Sequence, residues 1–350
     1  MRSGRLLLFV SVAVLTACGE LETTGGGSGG AGGDTATGNK AQASCENVAY
    51  DGSGTPRIAY MPPATEFPYY LAIGEGLKAK AQEVNAETFM LAPQSGADIE
   101  GQIGMIQDVL TQGVDGIILS THDEKAAAPL VRQAVDGGIA LVIVNSDIAD
   151  FPTPVHGVVG YQQRKGTSKI GDYAIEMVDG QAKIGVIEGL PGYHSTERVG
   201  GFLDAIEGEQ GMDVVESLPG DWNVEGGNRA GMDMLQAHPE IEMVFAANDY
   251  MAIGANKAAE DLDRDVIVLG NDGDTQALEE INAGEWEATV NTTPFEMGET
   301  VLDVMMDCMN KEFTGFYIET PTQIVDETNV MQYLCQEDRL YPPPSKDYEC

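Results

Sequence analysis

The sequence predicts an α/β chain made of two parallel β-sheets, each carrying helices on both faces. Three features support this. Short runs that are apolar throughout recur along the chain, as strands buried on both faces do. Between them stand stretches with apolar residues at helical spacing. The two alternate in β-then-α order, as the right-handed crossovers of a parallel sheet require, and the strands are too many for one sheet. With 350 residues and 43% apolar side chains, the chain can form roughly two domains of ~150 residues with a large core.

The first seventeen residues stand ahead of that pattern. Arg2 and Arg5 lead into Leu6-Leu7-Leu8-Phe9-Val10, and the stretch closes on Leu15-Thr16-Ala17-Cys18-Gly19. This reads as a secretory signal, residues 1–17, too short to be kept as a membrane span. Its last five residues resemble the bacterial lipoprotein signal, in which cleavage leaves a lipid-modified cysteine, here Cys18. A lipidated Cys18 would hold the protein on a membrane face without crossing it. Residues 18–54 then read as a tether, with Gly25-Gly26-Gly27-Ser28-Gly29-Gly30 within it. The segment from Gly19 to Ser44 has no apolar face and spans roughly 25–30 Å as a flexible coil. No strand precedes these glycines and no Gly-Lys-Ser/Thr follows, so they do not make a phosphate loop.

The globular chain begins near Thr55. Strands are expected at Arg57 to Met61, Gly116 to Leu119, Ile139 to Val144, Lys183 to Ile187, Met243 to Ala246 and Val266 to Leu269, each apolar at nearly every position. Ile99, Ile103, Ile106 and Leu110 share one helix face, as do Val199, Phe202, Leu203 and Ile206. Open parallel sheets bind ligands at the carboxyl ends of their strands. Those ends carry Phe67-Pro68-Tyr69-Tyr70, Ser120-Thr121-His122-Asp123, Asn145-Ser146-Asp147, Asn248-Asp249, Asn271-Asp272-Gly273 and Asn291-Thr292. Any one of the Asn, Asp or Ser residues, Asp123 and Asp249 especially, could instead cap the following helix. Together, amides, carboxylates and aromatic rings suit a polyhydroxylated ligand, because rings cover the C–H face of a sugar while the polar groups exchange hydrogen bonds with its hydroxyls.

From about Arg57 to Asn329 the chain resembles the type I periplasmic sugar-binding proteins, especially the ribose- and galactose-binding group that serves ABC transporters. The residues that carry the resemblance are Pro68-Tyr69-Tyr70 with Gly76, Glu197-Arg198 with Gly201-Phe202, the run Val244 to Ala255, and Gly270-Asn271-Asp272-Gly273. It implies two Rossmann-like lobes joined by a three-crossover hinge near Tyr161, Thr292 and Pro321. The first lobe would hold residues 55–161 and 293–321, the second 162–292 and 322–330, with 331–350 a C-terminal tail. It implies aromatic stacking from Tyr69 and Tyr70 with Phe67 close by, a second aromatic wall from Trp222, and polar contacts from Arg198, Asn248, Asp272 and Thr292. Ser120, Asp123 and Asn145 join this ligand set as strand-end groups. Trp286 reads as packing at a turn.

The implied activity is capture by hinge closure and delivery to an ABC permease, with no cofactor and a monomer expected. A sensory subunit serving a chemoreceptor or membrane kinase would use the same pocket. Where the ribose group carries an Asp-Arg pair, this chain has Asn145-Ser146, so a charge-assisted clamp is replaced by neutral groups and another pentose, a hexose, a polyol or a modified sugar fits as well as ribose. An enzyme is disfavoured: His122, His156, His194 and His238 show no His-Glu-x-x-His spacing, and there is no Gly-x-Ser-x-Gly elbow. Asp261-x-Asp263-x-Asp265 lacks the glycine a calcium loop needs, Val266 standing there instead, so no metal site is expected.

Besides Cys18, Cys45, Cys308, Cys335 and Cys350 form an even set suited to disulfides in an exported chain. The family fold would bring Cys45 and Cys308 together at the outer end of the first lobe, leaving Cys335 and Cys350 to pair within the tail. Finally, 56 acids against 19 bases give a net charge of −37, which becomes −39 when Arg2 and Arg5 leave with the signal. Such a chain repels polyanions, so nucleic acid is excluded as a partner. Most of that charge must face solvent.

Overall fold

The structure is a computed structural model and describes residues 42–350. The signal pattern, Cys18 and the tether up to residue 41 lie outside the described residues.

The chain begins with a short 3-10 turn, Cys45–Asn47. It then runs through β1 (Arg57–Met61), α1 (Pro68–Val84), β2 (Glu87–Met90), α2 (Ile99–Thr111), β3 (Gly116–Leu119), α3 (Glu124–Asp136), β4 (Ala140–Val144) and β5 (Gly157–Gly160). A second series follows: α4 (Gln163–Met177), β6 (Gln181–Glu188), α5 (Tyr193–Ile206), β7 (Gly211–Pro219), α6 (Val224–Ala237), β8 (Met243–Ala246), α7 (Asp249–Asp261), β9 (Ile267–Asp272), α8 (Thr275–Ala283) and β10 (Ala288–Asn291). The chain returns through α9 (Pro294–Met309) and β11 (Tyr317–Glu319), crosses again to β12 (Gln323–Asp326), and ends with α10 (Met331–Leu334) and a 3-10 turn.

These strands form two six-stranded sheets, ordered β11-β5-β4-β3-β1-β2 and β12-β10-β9-β8-β6-β7. All pairs are parallel except β10 with β12. β3, β4 and β8 are buried at every position, which their uninterrupted apolar sequences require of strands covered on both faces. In each sheet the strand order reverses beside a central strand, β1 in one and β6 in the other. Loops leaving the carboxyl ends there diverge to opposite faces and open a crevice. The two crevices face each other, and the chain passes between lobes after β5, after β10 and between β11 and β12.

In the first lobe α1 and α9 touch backbone to backbone. A Cβ on Gly76 would lie 2.0 Å from the Phe295 carbonyl oxygen, and one on Gly298 2.0 Å from that of Ile73. This contact seats the N-terminus of α1, with Tyr69 and Tyr70, at the crevice. In the second lobe Phe202 and Phe245 stack with ring centroids 4.3 Å apart, pinning α5 and its Arg198 to β8. Cys45 is bonded to Cys308 with Cα atoms 5.1 Å apart, tying the segment before β1 to the end of α9. Cys335 is bonded to Cys350 with Cα atoms 5.7 Å apart.

Candidate binding site

The crevice closes around a small space of about 30 Å³. On the first-lobe side stand Phe67, Tyr69 and Tyr70 at the start of α1, with His122 and Asn145 from the loops after β3 and β4. Asn145 holds this wall in place. Its Oδ1 accepts from the Tyr69 hydroxyl at 3.1 Å and its Nδ2 donates to the Tyr70 hydroxyl at 3.2 Å. The two tyrosine rings are thereby set edge to face, 5.5 Å apart. Asn145 adopts a left-handed backbone with φ 58°, a conformation asparagine tolerates better than most residues.

The second lobe contributes His194, Arg198, Trp222, Asn248, Tyr250 and Asp272. His194 and Arg198 lie one turn apart on α5 and so share its inner face. Arg198 is 4% exposed. Its Nη1 pairs with Asp272 Oδ1 at 2.9 Å and donates to the Ala247 carbonyl at 3.0 Å. The guanidinium also lies over the Trp222 ring, 5.4 Å from its centroid, which favours the cation through the ring's quadrupole. Trp222 rests against the end of β6 because residue 189 is glycine: a Cβ there would fall 2.0 Å from the indole. Left-handed backbone recurs at this rim, in Asp221, Trp222 and Asp272, and such strain clusters where a ligand is gripped.

The charges balance. Burial pushes Asp272 up to about 6 while Arg198 pulls it back, so at neutral pH the two form an ion pair. Burial pushes His122 and His194 below the usual imidazole range and Arg198 adds to this, so both are uncharged at neutral pH. Nδ1 of His122 lies 3.2 Å from the Gly96 carbonyl oxygen, which can only accept. That nitrogen therefore carries the proton and Nε2 is left as an acceptor. Beneath the pocket Asp249 accepts from the amides of Gly273 and Asp274, each at 2.8 Å, and from Thr289 at 2.5 Å. Asp249 braces the turn that presents Asp272.

The lobes meet above this space. Tyr193 of α5 donates to Asp147, after β4, at 2.9 Å. Gln163, at the start of α4, donates to the Asn145 carbonyl at 2.9 Å and contacts His194. The arrangement is a closed one.

Of the residues expected to face a ligand, Phe67, Tyr69, Tyr70, Asn145, Arg198, Trp222, Asn248 and Asp272 line the space. Three do not. Asp123 turns its carboxylate onto the Ala126 amide at 2.9 Å and caps α3, the alternative its position left open. Ser120 stands behind Tyr70, its Oγ 3.3 Å from that hydroxyl, and Thr292 stands behind Tyr69, its Oγ1 2.9 Å from that hydroxyl. They orient the rings instead of lining the space. The cap of α7 falls to Asn248, which accepts from the Met251 amide at 3.0 Å, whereas Asp249 points down to the turn after β9. His122, His194 and Tyr250 line the space without having been expected there. For His194 the signal was present, one helical turn before Arg198.

Two lobes closing on a small, electroneutral space walled by aromatic rings and hydrogen-bonding groups define a solute-binding protein. Residues 58–312 match the family model described as "Periplasmic binding protein domain", and the chain belongs to that family. The D-ribose/D-allose-binding protein of Pseudomonas aeruginosa is 29% identical over 286 residues, covering 77% of this chain and 88% of that protein. The ribose import binding protein RbsB of Bacillus subtilis is 27% identical over 258 residues, covering 73% and 83%. An ABC transporter solute binding protein from Mycobacterium smegmatis, solved with bound glycerol, superposes with a TM-score of 0.74 at 27% identity, covering 80% of this chain and 96% of that one. One from Actinobacillus succinogenes, solved with bound D-allose, has the same fold, with a TM-score of 0.75 at 23% identity and coverage of 80% and 100%. These relatives are binding proteins for transport and not enzymes.

Proposed function

We propose that this protein captures a neutral sugar or polyol outside the cytoplasm by closing two lobes on it, and delivers it to an ABC permease. The observation that carries the reading is the Arg198–Asp272 pair set between the Tyr69/Tyr70 wall and Trp222. Such a site offers fixed donors and acceptors for hydroxyls and ring faces for C–H groups, while carrying no net charge that would favour an ionic ligand. The names of the relatives, which give ribose and allose, and the glycerol bound in the Mycobacterium smegmatis structure support the same substrate class. The residues proposed to touch ligand are Phe67, Tyr69, Tyr70, His122, Asn145, His194, Arg198, Trp222, Asn248 and Asp272. Ser120 and Thr292 act through the tyrosines.

The test is a thermal-shift screen of the chain from Gly19 onward against pentoses, hexoses, polyols and nucleosides. A ligand at about 100 times its dissociation constant adds ~2.7 kcal/mol of stability. A shift with a metabolite outside the sugars and polyols, and with none inside, would sink the substrate class. The signal pattern further supports anchoring through a lipidated Cys18. Replacing Cys18 by Ser should release the protein from the membrane fraction, and its retention there would refute the anchor.

A further inference from the structure

The family match ends at residue 312, well before the C-terminal segment. That segment forms a ring closed by the Cys335–Cys350 disulfide. Both of its ends stand on the second lobe. At one end α10 buries Leu334 completely, and Tyr333 donates to Gln323 of β12. At the other, the amide and hydroxyl of Ser345 each donate to Glu279 of α8 at 2.7 Å, and Tyr348 donates to the same carboxylate at 3.2 Å.

The middle of the ring stands on the first lobe. Nη1 of Arg339 lies 2.8 Å from Glu296 and 3.4 Å from Glu299, both on α9, and its guanidinium sits 5.5 Å from the centroid of Phe295 on the same helix. Tyr341 shares a crevice with Leu71, Gly74 and Leu77 of α1. Between the ring and the hinge residues Thr293, Pro294 and Pro321 a cavity of about 280 Å³ remains.

We propose that Cys335 to Cys350 is a strap across the hinge, and that Arg339 is the positioning residue through which it biases the lobes toward the closed form. The argument is geometric. α9 packs against α1, β4 and β5 and moves with the first lobe, whereas α8 packs against β12 and α10 and moves with the second. Opening the cleft separates α8 from α9, so a segment fixed to α8 at both ends must give up its hold on α9. The disulfide keeps the ring short, so the strap cannot follow by paying out slack. Its grip on α9 is ionic. Each exposed pair is weak alone, but two carboxylates converge on one guanidinium that also covers an aromatic ring. Any contact made only in the closed form raises the closed population, and with it the apparent affinity for whatever the cleft holds. The proposal requires that the lobes hinge and does not depend on which ligand they hold.

Small-angle X-ray scattering of the ligand-free chain tests it, so the outcome is separate from that of the sugar screen. Arg339→Ala, the pair Glu296→Gln with Glu299→Gln, and the pair Cys335→Ser with Cys350→Ser should each raise the open-to-closed ratio, the first two by roughly three- to tenfold. The readout is a larger radius of gyration. Arg339→Lys, which keeps the charge and loses the planar fork, should fall between Arg339→Ala and the parent. Added salt should expand the parent and leave Arg339→Ala unchanged, because screening removes what the substitution has already removed. Scattering curves that coincide for parent and all variants would overturn the proposal, even if the variants melt earlier, because the ring would then be a local brace of α8 only.

Discussion

Arg198 and Asp272 are each about 4% exposed and depend on each other, yet they are not equivalent. An arginine left without its partner stays charged, whereas a buried carboxyl can take up a proton and become neutral. Asp272→Asn therefore strands a buried cation and should cost about 3–5 kcal/mol of stability at neutral pH. Arg198→Met keeps the side-chain stem and lets Asp272 protonate, so it should cost less, about 1–3 kcal/mol. Both variants should lose sugar binding. Chemical denaturation of the two at neutral pH checks the order, and a larger loss for Arg198→Met would contradict it. At this scale the sequence was a good guide to place and a poorer one to direction. The strand-end rule located Tyr69, Asn248 and Asp272, and the family resemblance Arg198 and Trp222, whose side chains line the space. It could not tell that Asp123 bends back onto its own helix while its neighbour His122 points in, because both share one strand end and a strand-end position does not fix side-chain direction. The same limit made Ser120 and Thr292 look like ligand contacts when they support the tyrosines.

Among elements, the packing of α1 on α9 decides where the aromatic wall stands, and glycine decides that packing. A Cβ on Gly298 would meet the Ile73 carbonyl oxygen at 2.0 Å and the Leu77 amide nitrogen at 2.7 Å. Both are helix backbone atoms, which cannot step aside as a side chain would. Gly298→Ala should therefore destabilise by about 1–3 kcal/mol despite alanine's better helix propensity. Gly104, inside α2, has nothing within 4 Å of its Cβ position. Gly104→Ala should stabilise by about 0.5–1 kcal/mol. Thermal melts of the two should thus move in opposite directions, and a stabilising Gly298→Ala would mean that the helices do not meet as closely as described. The same contrast explains which elements could be read from sequence. β1, β3, β4, β6, β8 and β9 are central strands with uninterrupted apolar runs, and each stands within two or three residues of where its run predicts. β2 exposes Glu87 and Met90, β7 exposes Asp213, Val214 and Ser217, and β11 has no buried residue. These strands lack the pattern because their sheet positions do not demand it. β5 is fully buried but only four residues long and bounded by glycines, too short for a run to register.

For the whole molecule, the net charge of −37 is borne almost entirely outside: among the described residues the only buried acids are Asp272, which lines the pocket, and Asp249 and Asp274 beside it. The sign and the exterior placement of that charge were legible in composition. The pH response is set by the few groups inside. Asp272 is held by its pairing with Arg198, whereas burial raises Asp249 to about 7 and Asp274 well above its ordinary 3.8. Between about pH 4 and 7 the folded chain holds protons that the unfolded chain releases, so this cluster's contribution to stability shrinks as pH rises through that window. The buried histidines act oppositely. Burial lowers His156 from 6.5 to about 4 and also lowers His122 and His194, so the unfolded chain takes up protons first as pH falls below about 6.5, and stability drops. Above that point only the acids act; below it the two sets oppose each other. The melting midpoint should therefore rise as pH is lowered from about 8 to about 6.5 and level off beneath. Differential scanning calorimetry in pH steps at fixed ionic strength reads this directly, and a midpoint that falls between about 8 and 6.5 would show that the buried carboxyls are ionised in the folded chain. Sugar affinity should follow a different curve, holding steady at neutral pH and declining below about 6 as Asp272 takes up a proton and releases Arg198. Acidification through that range would then weaken binding while the fold stays intact, which separates loss of the ion pair from loss of the protein.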